Sequence, residues 1–363
     1  MLLAKASLNN GKIFLGHVET FGRRFLEEKF SSGDLIRSQV LSESLVYGVD
    51  GISSFTFTYL LDEPTGESLA AYMDSVKEFF EIQGFIKSPP NISLFLPRRA
   101  EYWVFAQNVL QLFRKLGVDL SLVQLPLHGK NVKLSEVSLI ILADPPELDG
   151  DEVAFLGKYV EDGGAILVTG YPPTGLRPVL GVDERNVGKY GGVEVIVDYL
   201  KRCSRGKILG MGYRLVYCPT LNGSEPLAIL RKPKGYGGVR DIGSYAATLK
   251  EYGKGLAVFT GVPAKTLLTD LSPFFLDLVD LCLAHSGKEL KWEFEGLNEL
   301  VDVVVRDDLL IAFNHGDKVR FKAKYSGDFS GYEVLGKALV SVKDRVFEIE
   351  LGKVEYCCIK LTS

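Results

Sequence analysis

The chain has 363 residues, 46% hydrophobic and 24% charged, with a formal net charge of −4. That balance excludes disorder and coiled coil, and it leaves no electrostatic footprint for nucleic acid. The length predicts two or three domains. Arg23-Arg24 and Arg98-Arg99 are isolated basic pairs on a solvated surface.

Residues 1–88 read as two strand–helix units. A strand over Lys12 to Val18 precedes a helix from Asp34 to Tyr47, and a strand over Gly51 to Tyr59 precedes a helix from Glu67 to Gln83 with Leu69, Met73, Val76 and Phe79-Phe80 at helical spacing. Lys87-Ser88-Pro89-Pro90 breaks the pattern and marks a boundary.

From residue 91 a new alternation begins. Ile92 to Leu96 is a buried strand, "EYWVFAQNVLQLFRKLG" an amphipathic helix closed by Gly117, and Val118 to Leu125 and Val137 to Ala143 are further strands. Asp149 with Glu152 three residues on reads as a reciprocal N-terminal cap for a helix to Val160, and "AILVTG" is the next strand. Strands alternating with helices predict a mostly parallel sheet covered on both faces. After Gly170 the pattern loosens into Gly-rich turns at 234 to 238, a strand near 256 to 260 and a helix from Pro273 to His285.

Residues 288–363 change period to seven short runs, several of them alternating, among them "LVDVVVRD", "LLIAFNHG" and "VRFKAKY". They predict a small β-sandwich.

The five cysteines have no metal-ligand spacing and an odd count, which predicts buried free thiols in a reducing compartment. The start lacks a signal-peptide pattern and no apolar run is long enough for a membrane span, so the expected location is cytoplasmic, without membrane or nucleic-acid partners. The histidines His17, His128, His285 and His315 are scattered, and no metal or cofactor is expected. "GYGG" at 235–238 lacks the lysine and spacing of a phosphate loop. A class I glutaminase would need a cysteine on a strand-to-helix elbow, and none lies between residues 91 and 202.

Glu19 stands where a strand hands over to a loop, the position at which barrel enzymes keep catalytic groups. His17, two residues earlier, would share its face of the strand. The stretch "GKIFLGHVETFGRRF", followed by "YGVDGISSF", resembles the end of the catalytic barrel of glycoside hydrolase family 42, the β-galactosidases. The resemblance continues through "GVDLSLVQ" and "LSEVSLIILADPPELDGDEVAFLGKYVEDGGAILVTG", similar to that family's amidotransferase-like trimerisation domain, and through "GKGLAVFTG" and "LLIAFNHGDKVRF". It implies an α/β fold in three parts: a partial (β/α) barrel over 1–88, a doubly wound amidotransferase-like domain over 89–287, and a small β-sandwich over 288–363.

The resemblance implies Glu19 as nucleophile of a retaining glycosidase, with Glu63 and Asp62 as sugar contacts; His17, by its spacing from Glu19, is a further candidate contact or a barrel-lining polar residue without catalytic duty. The resemblance also implies a β-galactoside or related oligosaccharide as substrate and a homotrimeric assembly. The first six barrel strands and the acid/base glutamate have no counterpart here, whereas retaining hydrolysis needs two carboxyl groups roughly 5 Å apart. The expectation is therefore a glycosidase subunit or truncated form, complemented by a separate chain that supplies strands one to six. The alternative is an inactive oligomerisation or carbohydrate-binding protein.

Overall fold

The computed structural model describes residues 15–19, 33–45, 51–55, 66–86, 90–98, 109–110, 112–125, 134–182, 186–217, 221–234, 238–266, 269–298, 300–306 and 308–362. The chain opens with β1 (Leu15–Glu19), α1 (Gly33–Ser44), β2 (Gly51–Phe55) and α2 (Glu67–Phe85). β1 and β2 form a parallel pair, and a parallel connection needs a crossover, which α1 supplies. Helix α1 stops at Ser44, short of the expected Tyr47, and the rest of that expectation lies outside the described residues.

A nine-stranded sheet follows, built from β3 (Ile92–Leu96), β4 (Ser121–Gln124), β5 (Leu139–Leu142), β6 (Ala165–Thr169), β7 (Asn186–Val195), β8 (Ile208–Tyr217), β9 (Glu225–Lys234), β10 (Gly238–Tyr252) and β11 (Gly255–Thr260). Its spatial order is β4-β3-β5-β6-β11-β10-β9-β7-β8. The first five strands of that order are parallel, and in chain order they follow the flavodoxin-like doubly wound arrangement. From β11 onward every pairing is antiparallel. The loosening read after Gly170 is therefore a set of four long antiparallel strands. Their glycines, prolines and charged residues, as in "EPLAILRKPK", blur the period-2 signal.

β3, β5 and β6 are buried at every position, and apolar at all but Ser93 and Thr169, because helices cover both faces of the parallel half. On one face α4 (Ser272–His285) inserts Phe274, Phe275, Leu278 and Cys282 against Leu94, Ile141, Leu167 and Val258. On the other, α3 (Gly150–Glu161) packs Leu156 and Val160 against Ile140, Ile166, Val168 and Phe259. α3 begins with the expected capping box: the Glu152 N–H donates to Asp149 Oδ1 at 2.9 Å, and the Asp149 N–H donates to Glu152 Oε2 at 3.0 Å.

The C-terminal part is a sandwich of two four-stranded sheets, with eight strands rather than seven. One sheet has the order β12 (Trp292–Glu295), β15 (Val319–Tyr325), β18 (Val346–Leu351), β17 (Leu339–Lys343). The other is β13 (Val301–Arg306), β14 (Leu309–Asn314), β19 (Tyr356–Thr362), β16 (Gly331–Gly336). The additional strand is β17, "LVSVK", whose apolar positions are exposed or half-buried, so no core face marks it in the sequence. Trp292, Phe321, Phe347 and Ile349 of one sheet meet Val301, Leu310 and Ile359 of the other.

The second sheet is buried on its outer face as well. There Val304, Ile311, Phe313 and Cys358 pack against Leu41 of α1, Leu45 just past its end and Ile82 of α2. The two N-terminal units thus sit on the sandwich through their helices, while Ile36, Val40, Tyr72 and Phe79 form the core between the helices, with Ile52 of β2 packed against it.

Candidate active site

β1 ends at Glu19, and β2 ends at Phe55, its partner in register. His17 is opposite Ser53 in the same register. Neighbouring strands lie about 4.8 Å apart, so a group at the end of either strand is within reach of a ligand held at the other. Both strands finish at the same end, as barrel strands do around a catalytic mouth. Asp62 and Glu63, expected beyond β2, lie outside the described residues, as does His128.

The helix that follows Glu19's strand is tied to the rest of the protein by polar bonds. Arg37 of α1 donates from Nε to the Val354 carbonyl at 3.0 Å and from a guanidinium nitrogen to Glu78 Oε1 of α2 at 2.9 Å. Ser38 Oγ lies 2.9 Å from His315 Nδ1, and His315 Nε2 lies 2.8 Å from Asp302 Oδ2. Asp302 is also paired with Lys115, from the helical stretch ahead of β4. One hydrogen-bonded chain therefore joins the N-terminal units, the sandwich and the nine-stranded sheet.

Burial pushes the Asp302 carboxyl up, but the His315 hydrogen bond and the Lys115 charge outweigh it and hold it well below the usual carboxylate range. An ionised Asp302 can only accept, so His315 Nε2 carries a proton toward it. Sequence reading noted His315 but not this grouping. The available signal was Asp302, one acid inside the apolar run "VDVVV".

The other place to look for chemistry is the carboxyl end of the parallel strands, where doubly wound folds bind ligands at the point of strand-order reversal, here between β3 and β5. That crevice is occupied by the protein's own side chains. Arg98, just past β3, pairs with Asp149 at 3.0 Å and Asp151 at 3.2 Å, and its N–H donates to Glu152 Oε1 at 2.7 Å. Asp144, just past β5, has a left-handed φ of 45° and accepts from the Ala264 N–H at 3.0 Å and the Thr169 hydroxyl at 3.1 Å. Burial raises its pKa, partly offset by those bonds. Gly170 has φ +70°, and a Cβ there would fall 2.2 Å from Asp144 Oδ1, so the backbone is drawn tightly over the carboxylate. Asp144 therefore fastens the ends of β5, β6 and β11.

Cys203, Cys282, Cys357 and Cys358 are buried free thiols away from this crevice. Among the described residues no three His, Cys, Asp or Glu side chains group as metal ligands, and no helix is long and apolar enough to cross a membrane.

No family model matches the chain, and no curated protein matches it. Solved structures do. The β-galactosidase of Bacillus circulans sp. alkalophilus superposes with a TM-score of 0.63 at 11% identity, over 99% of this chain and 57% of that one. Gan42B, a GH42 β-galactosidase of G. stearothermophilus, gives a TM-score of 0.61 at 13% identity over 99% of this chain and 55% of that one. α-L-Fucosidase isoenzyme 2 of Paenibacillus thiaminolyticus gives 0.59 at 12% identity over 99% of this chain and 62% of that one. The fold is thus a glycoside-hydrolase-like one. More particularly it is GH42-like, and this chain spans 55 to 57% of the length of those two galactosidases.

Proposed function

We propose that the chain is a component of a GH42-like retaining glycosidase, with Glu19 as its nucleophile. The observation that carries this reading is the position of Glu19 at the end of a parallel strand, paired in register with β2, inside a chain whose fold matches GH42 β-galactosidases over 99% of its length. In the retaining reaction a carboxylate attacks the anomeric carbon and a carboxylic acid about 5 Å away protonates the leaving oxygen. The covalent glycosyl-enzyme is then hydrolysed by a water that the second residue, now a base, deprotonates.

The acid belongs to the remaining six barrel units, whether they lie on a separate chain, as we favour, or on the same one. Those units would also exclude water from the mouth and let burial raise the acid's pKa. His17, two residues before Glu19, and Asp62 and Glu63 beyond β2 would contact the sugar hydroxyls. The substrate in this reading is a β-galactoside or a related oligosaccharide. Residues 1–88, 89–287 and 288–363 would act as barrel part, amidotransferase-like trimerisation domain and sandwich of a cytoplasmic homotrimer.

The test is hydrolysis of a chromogenic β-galactoside by this chain alone and by this chain mixed with a polypeptide carrying strands one to six. Turnover that depends on mixing and is lost in Glu19→Gln supports the reading. Turnover that survives Glu19→Gln removes Glu19 from the site. The competing reading, a non-catalytic oligomerisation or sugar-binding protein, is favoured if neither preparation turns over while the chain still binds sugar.

A further inference from the structure

The junction between α1 and the sandwich links a serine, a histidine and an aspartate in series. Ser38 Oγ lies 2.9 Å from His315 Nδ1, and His315 Nε2 lies 2.8 Å from Asp302 Oδ2. A hydroxyl within hydrogen-bond reach of an imidazole that a carboxylate orients is the arrangement of an activated nucleophile, recognised by geometry and role rather than by order in the sequence. Exposure falls in the order such a site needs. Ser38 is partly exposed, the His315 side chain is 24% exposed and that of Asp302 is 9% exposed. The hydroxyl and the imidazole can therefore meet a ligand from solvent while the carboxylate stays behind them. Two neighbours complete the surroundings. Lys353, its side chain 61% exposed, is paired at 2.5 Å with Asp34, which is one helical turn before Ser38 on α1. Leu300, 46% exposed, flanks His315, whose backbone N–H donates to the Leu300 carbonyl at 2.8 Å.

We infer that Ser38, His315 and Asp302 form a second catalytic site, of the serine-esterase type, that takes small acyl esters. In the first step the Ser38 oxygen attacks the ester carbonyl carbon while Nδ1 of neutral His315 takes the hydroxyl proton. The bond from that carbon to the alcohol oxygen breaks, and His315 returns the proton to the leaving alcohol. Water then attacks the acyl-serine with His315 again as base, which releases the carboxylic acid and restores Ser38. Asp302 is the positioning residue, because it holds the Nε2–H and so turns Nδ1 toward the hydroxyl. Lys353 supplies positive charge for the developing oxyanion, and Leu300 offers apolar surface to a short acyl chain. An exposed ammonium stabilises an oxyanion less than desolvated donors do, so the expected substrates are activated esters. The site shares no residue with the Glu19 strand, and the inference is independent of whether Glu19 catalyses anything.

The test incubates the full chain with p-nitrophenyl acetate and, separately, with a fluorophosphonate probe, and locates the adduct by peptide mass spectrometry. The expected result is an acetyl or phosphonyl group on Ser38, with p-nitrophenolate release above the buffer background that falls about 10²-fold in Ser38→Ala and in His315→Gln. Melting temperatures check that both variants stay folded. In the wild-type chain, with no variant needed, labelling of Ser38 should slow steeply from about pH 8 to about pH 5, because a protonated imidazole cannot take the hydroxyl proton. No adduct in the folded protein, an adduct on another residue alone, or labelling of Ser38 that is indifferent to pH and to His315→Gln overturns the proposal. Neither a sugar nor a barrel polypeptide is present in the assay, so its outcome leaves the glycosidase reading to its own test.

Discussion

Asp302→Asn isolates the junction that holds the Glu19-bearing units to the rest of the protein. The Asp302 side chain is 9% exposed and that of Lys115 is 16% exposed, so the substitution leaves a nearly buried ammonium without its counter-charge and weakens the His315 hydrogen bond. Breaking one side of a buried pair costs about 3–5 kcal/mol. For a chain of this length unfolding as one unit, that corresponds to a melting temperature lower by about 5 °C. The pH dependence has a definite sign. Asp302's folded pKa is depressed, so its stabilisation is complete above the unfolded aspartate value of about 3.9 and is lost as pH falls below it toward the folded value. Melting curves from pH 7 down to pH 3 should therefore show the wild type losing its advantage over Asp302→Asn in the acid range. Adding Lys115→Met to Asp302→Asn should recover part of the loss, because the stranded charge is gone. A variant that melts within 1 °C of wild type, with an unchanged acid limb, would refute the junction's role.

Two further predictions concern stability and reactivity. Asp149→Ala removes the cap of α3 and one carboxylate on Arg98, and it should cost about 1–2 kcal/mol in urea unfolding at neutral pH. Cys203, Cys282, Cys357 and Cys358 should resist iodoacetamide in the native protein at pH 8 and react once it is unfolded, as read by peptide mass spectrometry. Burial raises the Cys357 thiol to about 12 and the Cys203 thiol to about 11, leaving almost no thiolate at that pH.

Most of the architecture was legible because the physics behind it is local. "LIIL" is apolar throughout and "AILVT" at all but its last position, as expected of strands covered on both faces, and the capping box of α3 is spelled by Asp149 and Glu152. "VRFKAKY" alternates between buried and exposed because its sheet has a solvent face, whereas "LLIAFN" does not, because helices cover the outside of its sheet. The antiparallel half of the large sheet was not legible. Strands that carry charge and proline, such as Glu225–Lys234, are held by ladder pairing with β10 and β7 on either side rather than by an apolar pattern of their own. The position of Glu19 at a strand end followed from its own stretch. The Ser38–His315–Asp302–Lys115 chain did not, since its members are joined only by the packing of three separate parts of the fold.

The central proposal is that Glu19 is the nucleophile of a retaining glycosidase. The most direct measurement is single-turnover trapping with a 2-deoxy-2-fluoro galactoside in the presence of a polypeptide carrying strands one to six, followed by peptide mass spectrometry. A covalent sugar on the peptide containing Glu19, absent in Glu19→Gln, is the predicted result. A sugar trapped on any other carboxylate, with Glu19 unmodified, would contradict the account.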